Sequence, residues 1–400
     1  MESPDVTVDD HGSTDNGVRI RPGFLFSKCP SCGARSCNRG FGQNHGNRGR
    51  ASRPAVSCTL TFVMRHGGRG GSQRGAVRHM NINDVFHNCV GVKEEPDGLR
   101  PVRFPDRLFD FYRERGEMTD IRANSTAGIT MDFTTSADTV RFDYATGRFC
   151  RPFVAFDVYE NDVFITTIRE PDESASGTVT YDKRNPGRTR LTFVLPYTTD
   201  TRISGCEFGD DARPVRDDRP LMLFLGDSIT QGMTSLRPSQ GYAYLLARTM
   251  GFRSLNWGVG SYVFDARTLD DVADVDASVI VAAYGTNDYT KIREGAMTMA
   301  DFETAVAEYM SGLRFAVDEG TAVTVITPIW RSADCGTDED RTLMDRVRAT
   351  IINQAVRQRF DVIDGLALVG HDDAFLADGL HPNDLGAAMM ANNIVRAKLG

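Results

Sequence analysis

Leu221-Met222-Leu223-Phe224-Leu225-Gly226-Asp227-Ser228-Ile229-Thr230-Gln231-Gly232 is the stretch whose reading decides the fold. Five apolar residues in a row show no alternation, so they read as a parallel strand covered on both faces. The run stops at Gly226, and Ser228 arrives at the strand's carboxyl end, where open α/β sheets bind their ligands. A helix starting there aims backbone N–H groups near Ser228 at anything bound. A βα turn whose Ser or Asp merely caps a helix has the same pattern. The rest of the chain must decide between them.

Working outward, residues 221–400 alternate strand and helix. Tyr242 to Met250 reads as a helix closed by Gly251. A short strand ends near Trp257, and Val279 to Tyr284 is a second buried strand. Phe302, Val306, Tyr309, Met310, Leu313 and Val317 recur at helical spacing. A strand over 322–327, a helix over 343–360, a short strand over 361–364 and a closing helix over 385–398 follow. The alternation predicts a parallel sheet between helix layers.

Residues 80–215 read as β-rich. Thr139–Tyr144, Val154–Tyr159, Val163–Ile168, Thr178–Tyr181 and Thr189–Leu195 alternate with period two, broken by turn clusters such as Asn185-Pro186-Gly187. They predict an antiparallel sandwich or jelly roll. Core and edge packing accounts for their Phe, Tyr and Arg; a sugar-binding face is a second use. The charged, two-proline segment 210–220 reads as a linker.

Residues 1–79 differ in kind. They hold 13 of the 38 glycines and 12 Lys+Arg against 5 Asp+Glu, with almost no apolar periodicity. Such a segment cannot bury enough surface to offset the entropy of ordering. It reads as a largely disordered tail without function, possible zinc binding around Cys29, Cys32, Cys37, His45 and Cys58 ranking below that. Weak RNA binding by its Arg/Gly repeats is a further reading. The globular composition begins at Met80, so the working protein can start there.

Residues 80–400 carry 34 Lys+Arg against 49 Asp+Glu, an acidic balance that argues against nucleic acid as a partner of the folded part. No run approaches the ~18 apolar residues of a membrane span, and the acidic start Met1-Glu2-Ser3-Pro4-Asp5 lacks a signal peptide's features. The eight scattered cysteines are not a secreted disulfide framework. A cytoplasmic protein without membrane attachment is expected.

Three more loops follow strands on the same sheet edge or precede the last helix: Asn256-Trp257-Gly258-Val259-Gly260-Ser261, Gly285-Thr286-Asn287-Asp288 and Asp378-Gly379-Leu380-His381-Pro382. Singly, they read as Gly-rich turns, caps and a structural histidine. Together they hold the parts for acyl transfer: Ser228 to attack, His381 as general base, and Asp378 to fix its tautomer. The Ser228 N–H, N–H groups of the second loop and the Asn287 amide can point at a developing oxyanion. The G-x-S-x-G elbow and the full G-x-G-x-x-G fingerprint are both missing. No metal or cofactor is called for.

These four ordered blocks resemble those of the SGNH (GDSL-like) hydrolase superfamily over residues 221–400. The β-rich part ahead is similar in arrangement to the amino-terminal jelly roll of some carbohydrate esterases and SsfX3-like enzymes. The resemblance implies a three-layer α/β/α, flavodoxin-like catalytic domain over 216–400, preceded by a β-sandwich over 80–215. It implies Ser228 as nucleophile, His381 as base then acid, Asp378 as orienting carboxylate, and Ser228 and Asn287 as oxyanion donors. The third donor, a glycine in the family, falls on Ser261, or on Gly260 in the alternative register. Tyr289 and Trp330 are candidates to line the pocket. The expected activity is serine-dependent hydrolysis of a short acyl ester of a sugar or small alcohol. An acyltransferase using the same residues and an inactive carbohydrate-binding protein are the alternatives.

Overall fold

The computed structural model describes residues 80–399. The expectations for residues 1–79 (tail, zinc half-site, RNA-binding repeats) lie outside the described residues. The described residues form one compact unit.

The chain opens with β1 (Phe86–His87), β2 (Gly91–Glu95) and β3 (Gly98–Val102), then α1 (Asp106–Arg113) and α2 (Glu117–Asn124). Next come β4 (Thr130–Thr135), β5 (Thr139–Phe149), β6 (Val154–Glu160) and β7 (Val163–Glu170). β8 (Ser176–Asp182), β9 (Thr189–Val194), β10 (Thr199–Glu207) and β11 (Arg213–Pro214) complete the antiparallel part. Two sheets result, in the orders β1-β4-β9-β6-β7, with β11 on β4, and β2-β3-β10-β5-β8. Alternate residues such as Val140, Phe142 and Tyr144 of β5 meet Phe156, Leu191 and Phe193 of the facing sheet in a closed apolar core. The segment read as a linker is partly structured, since Arg213 and Pro214 pair with Thr134 and Phe133.

The second half holds β12 (Leu221–Gly226), α3 (Ser228–Gln231), α4 (Tyr242–Met250), β13 (Arg253–Gly258), β14 (Val279–Ala283), α5 (Thr286–Arg293) and α6 (Met299–Ala316). β15 (Ala322–Ile326), α7 (Asp338–Arg357), β16 (Asp361–Ile363) and α8 (Asp384–Leu399) close it. The five strands are parallel, in the order β13-β12-β14-β15-β16. β12 shows why its sequence lacks alternation. Leu223 and Leu225 enter the core with α6 and α7, whereas Met222 and Phe224 enter the core with α4 and α8. The strand order reverses at β12, and the crevice that such a reversal opens lies where Ser228 follows the strand.

The sequence reading missed α1 and α2. Their apolar residues do not serve the sandwich: Phe104, Leu108, Phe109 and Tyr112 join Trp257, Tyr262 and the sheet face in the α/β core. Between them runs Arg103, which is 1% exposed. Its guanidinium donates to the carbonyls of Ser125, Asn256 and Gly258 at 2.7–2.9 Å and to Arg122 and Ala123 at 2.7 and 3.2 Å. The Trp257 indole N–H returns a bond to the Arg103 carbonyl at 2.6 Å. Burial pulls this guanidinium down to about 10, so it stays charged at neutral pH.

Replacing Arg103 with methionine keeps the bulk but strips these carbonyls of donors. The expected cost is about 3 kcal/mol or more in urea unfolding, because each orphaned buried acceptor carries a desolvation penalty. A loss below about 1 kcal/mol would show that the cluster is dispensable.

Candidate active site

Ser228 is the first residue of α3, a single turn that Asp227 caps by accepting from the Ile229 N–H at 2.9 Å. The turn is pressed against the end of β13. Asn256 donates to the Thr230 carbonyl at 2.8 Å and accepts from the Gly258 N–H at 2.8 Å, while Val259 N–H reaches the Gly226 carbonyl. A Cβ on Gly258 would sit 2.5 Å from the Gln231 nitrogen, so only glycine lets the two backbones approach this closely.

His381 comes from the loop before α8. Its Nε2 lies 2.7 Å from Ser228 Oγ, and its Nδ1 lies 2.9 Å from Asp378 Oδ2. The loop is held from several sides: Ser332 N–H donates to the Gly379 carbonyl at 2.8 Å, and Thr234 Oγ1 to the Pro382 carbonyl at 2.9 Å. Burial by itself would raise the Asp378 carboxyl, but donation from the backbone N–H of His381, its ring and the Leu380 N–H outweighs this and holds it below the usual range. An ionised Asp378 only accepts, so the proton sits on Nδ1 and Nε2 is free to accept from the serine. Burial lowers the His381 pKa; Asp378 opposes the shift, and the charges of Arg151 and Arg331 add to it.

Asn287 lies at the start of α5. Its Nδ2 donates to the Tyr262 carbonyl at 2.9 Å and, more weakly, to Asp227 Oδ2 at 3.3 Å. Asp227 is buried beside Asp288, and burial, with the neighbouring negative charge, pushes it up to about 7. Asp288 is likewise pushed up to about 7 by burial.

The two registers of the β13 loop are distinguished by their hydrogen bonds. Gly260 donates its N–H to Gln231 Oε1 at 2.9 Å, so it is not available to a substrate oxyanion. Ser261 sits at φ +63°, and no acceptor engages its N–H among the described residues. Tyr289 and Trp330 do not line an open cleft. Tyr289 is fully buried in the core and bonded to Asp340, and Trp330 is 6% exposed and stacked on His371. The aromatic spacing after two strand ends marked core packing.

Residues the sequence reading missed hold the site from outside the α/β half. Gln231 Nε2 donates to the Arg122 carbonyl and to Ser125 Oγ, and Arg122 Nη1 to the Gly260 carbonyl at 3.1 Å. Tyr159 donates to Ser239 Oγ, and buried Asp157 accepts from the Ser239 N–H at 2.9 Å. The first set pins the β13 loop, and the second pins the α3–α4 loop, whose Thr234 bonds the His381 segment at Pro382. Among the described residues, no group of three or more His, Cys, Asp or Glu is placed to hold a metal, and no helix is long and apolar enough to cross a membrane.

With this geometry in place, the comparisons are informative. Residues 224–389 match the model of the GDSL-like lipase/acylhydrolase family. This stretch, which holds all four of the blocks around Ser228, Ser261, Asn287 and His381, is thus similar to a family of ester-hydrolysing enzymes. Its fold is similar to that of the salicylyl-acyltransferase SsfX3 from a tetracycline biosynthetic pathway (17% identity, TM-score 0.66, covering 79% of this chain and 94% of that one). A GDSL-like protein from Bacteroides ovatus aligns at 17% identity and TM-score 0.62, covering 80% and 95%. A family two carbohydrate esterase from Clostridium thermocellum, solved with cellohexaose, aligns at 15% identity and TM-score 0.52, covering 77% and 97%. A comparison with curated protein sequences finds no match.

Two measurements follow from the geometry. A His381 depressed by burial becomes neutral at lower pH than a free imidazole, so its NMR titration should have a midpoint below 6.5; a midpoint at or above 7 would contradict it. Ser261→Gly should stabilise the fold by about 1 kcal/mol, since a side chain at positive φ is strained. Destabilisation would mean that the serine side chain holds the turn.

Proposed function

We propose that this protein is a serine esterase that removes a short acyl group from a saccharide or other small alcohol through an acyl-enzyme on Ser228. The observation that carries this reading is the continuous line of hydrogen bonds from Ser228 Oγ through His381 to Asp378. Ser228 Oγ attacks the ester carbonyl carbon as its proton passes to His381 Nε2. The tetrahedral oxyanion is met by the N–H groups of Ser228 and Ser261 and by Asn287 Nδ2, which exchanges its weak Asp227 contact for the substrate. The carbon–alkoxide bond then breaks, and His381 returns its proton to the leaving alcohol. Water repeats the sequence on the acyl-enzyme, releasing the acid and restoring Ser228.

The carbohydrate esterase among the structural neighbours supports a saccharide ester as substrate class. SsfX3 supports a second reading, in which an acceptor alcohol takes the place of water on the same acyl-enzyme.

Ser228→Ala should lower turnover of p-nitrophenyl acetate by about 10⁴-fold or more and abolish labelling by a fluorophosphonate probe. Turnover should fall as the acyl chain lengthens. Ester hydrolysis unchanged in Ser228→Ala would overturn the assignment. Product that forms only with an added alcohol acceptor would select the transferase.

A further inference from the structure

Three guanidinium groups border the Ser228–His381 pair, and none of them has a carboxylate within 4 Å among the described residues. Arg122 leaves α2 and lies across the β13 loop, its Nε 3.1 Å from where a Cβ on Gly260 would stand. Arg151 belongs to the β5–β6 connection; its charge reaches both His381 and Arg122. Arg331 follows β15 and donates through Nη1 to Thr286, next to Asn287, and its charge also reaches His381. In each of the three, the Nε is buried without a hydrogen-bond partner.

This arrangement is unusual for the molecule around it. Residues 80–400 are acidic overall. Elsewhere, Arg348 is paired with Asp334 and Arg103 is wrapped in carbonyls, and Arg237, whose Nη1 also lacks a hydrogen-bond partner, has Asp157 at 3.8 Å. Converging unpaired cations repel one another, and buried N–H donors without acceptors are costly. Both penalties are relieved by a planar or tetrahedral oxyanion, which accepts from several guanidinium donors at once. The charges of Arg151 and Arg331 also help to keep His381 neutral, the form that acts as a base.

We propose that the ester handled at Ser228 carries an oxyanion group, a carboxylate or a phosphate, seated between Arg122 and Arg151, with Arg331, held at Thr286, adding to the positive field. This rests on the reading of Ser228 as the acyl-carrying nucleophile and names the class of substrate that the site selects.

The test compares three acetyl esters of similar size: 4-acetoxybenzoate, 4-acetoxyphenyl phosphate and the neutral methyl 4-acetoxybenzoate. The wild-type enzyme should have a higher kcat/KM for at least one anionic ester than for the neutral one. That ratio should fall about tenfold in Arg151→Gln and in Arg122→Gln, mainly through KM. Added salt should depress the anionic ester more than the neutral one. Which anionic ester gains more, with benzoate and inorganic phosphate as competing inhibitors, separates carboxylate from phosphate. If Ser228-dependent hydrolysis shows no preference for charge, or the ratio survives both substitutions with circular dichroism unchanged, the oxyanion proposal is overturned and the esterase reading stands. If no ester is turned over and Ser228 is not labelled by the fluorophosphonate, the esterase reading itself fails.

Discussion

The contact on which the remaining geometry depends is the Arg103 guanidinium against the carbonyls of Asn256 and Gly258. A strand end in a parallel sheet leaves carbonyls pointing into a crevice, where water or a ligand normally takes them. Here a cation from the amino-terminal half occupies them in a dry interior. The end of β13 is thereby fixed, and through Asn256 and Gly258 so is the turn that carries Ser228. Gln231 completes the circuit by holding the Gly260 N–H with one end of its amide and the α2 terminus with the other. The positions of Ser228 and Ser261 are therefore properties of both halves of the chain.

The parts legible in the sequence were those with a local signature. The β12 run, the helix closed by Gly251 and the period-two strands from Thr139 onward rest on burial periodicity, which a short window captures. Ser228, Asp378, His381 and Asn287 stood at strand or helix ends, and the structure brings them to one edge. What escaped was non-local. Arg103 lies between Val102 and Phe104, and nothing within ten residues says that its partners are 153 and 155 positions away. Helices α1 and α2 were passed over because their segment sits among strands, although Leu108, Phe109 and Tyr112 share one face. Tyr289 and Trp330 carried the opposite lesson: proximity to a motif does not decide whether an aromatic faces a cleft or the core.

Next to Ser228, Asp227 and Asp288 are both buried, each with its carboxyl pushed up to about 7. Asp227 has one fixed duty, capping α3 through the Ile229 N–H, and it also touches the Asn287 amide. Asp288 accepts from the Phe264 N–H and leaves its other oxygen without a partner. A carboxyl whose folded pKa is raised holds its proton more firmly than in the unfolded chain. Each therefore stabilises the fold less as pH rises from about 4 towards 7. Asp378 acts in the opposite sense, and His381, being depressed, also favours the fold as pH rises towards 6.5. The site holds opposing linkages within a few residues of Ser228.

The intrusion of α1 into the α/β core bears on how the chain comes into being. Phe104, Leu108, Phe109 and Tyr112 leave the ribosome long before Trp257 and Tyr262, which cover them in the finished core. At ordinary translation rates, the roughly 150 intervening residues take on the order of ten to thirty seconds to appear. During that interval the sandwich can close on itself, but one apolar helix face and a charged guanidinium wait without partners. Exposed surface of that kind is what chaperones bind and what drives association of nascent chains. Recombinant yield of this protein should accordingly depend on the speed of synthesis and on chaperone supply more than on the stability of the final fold.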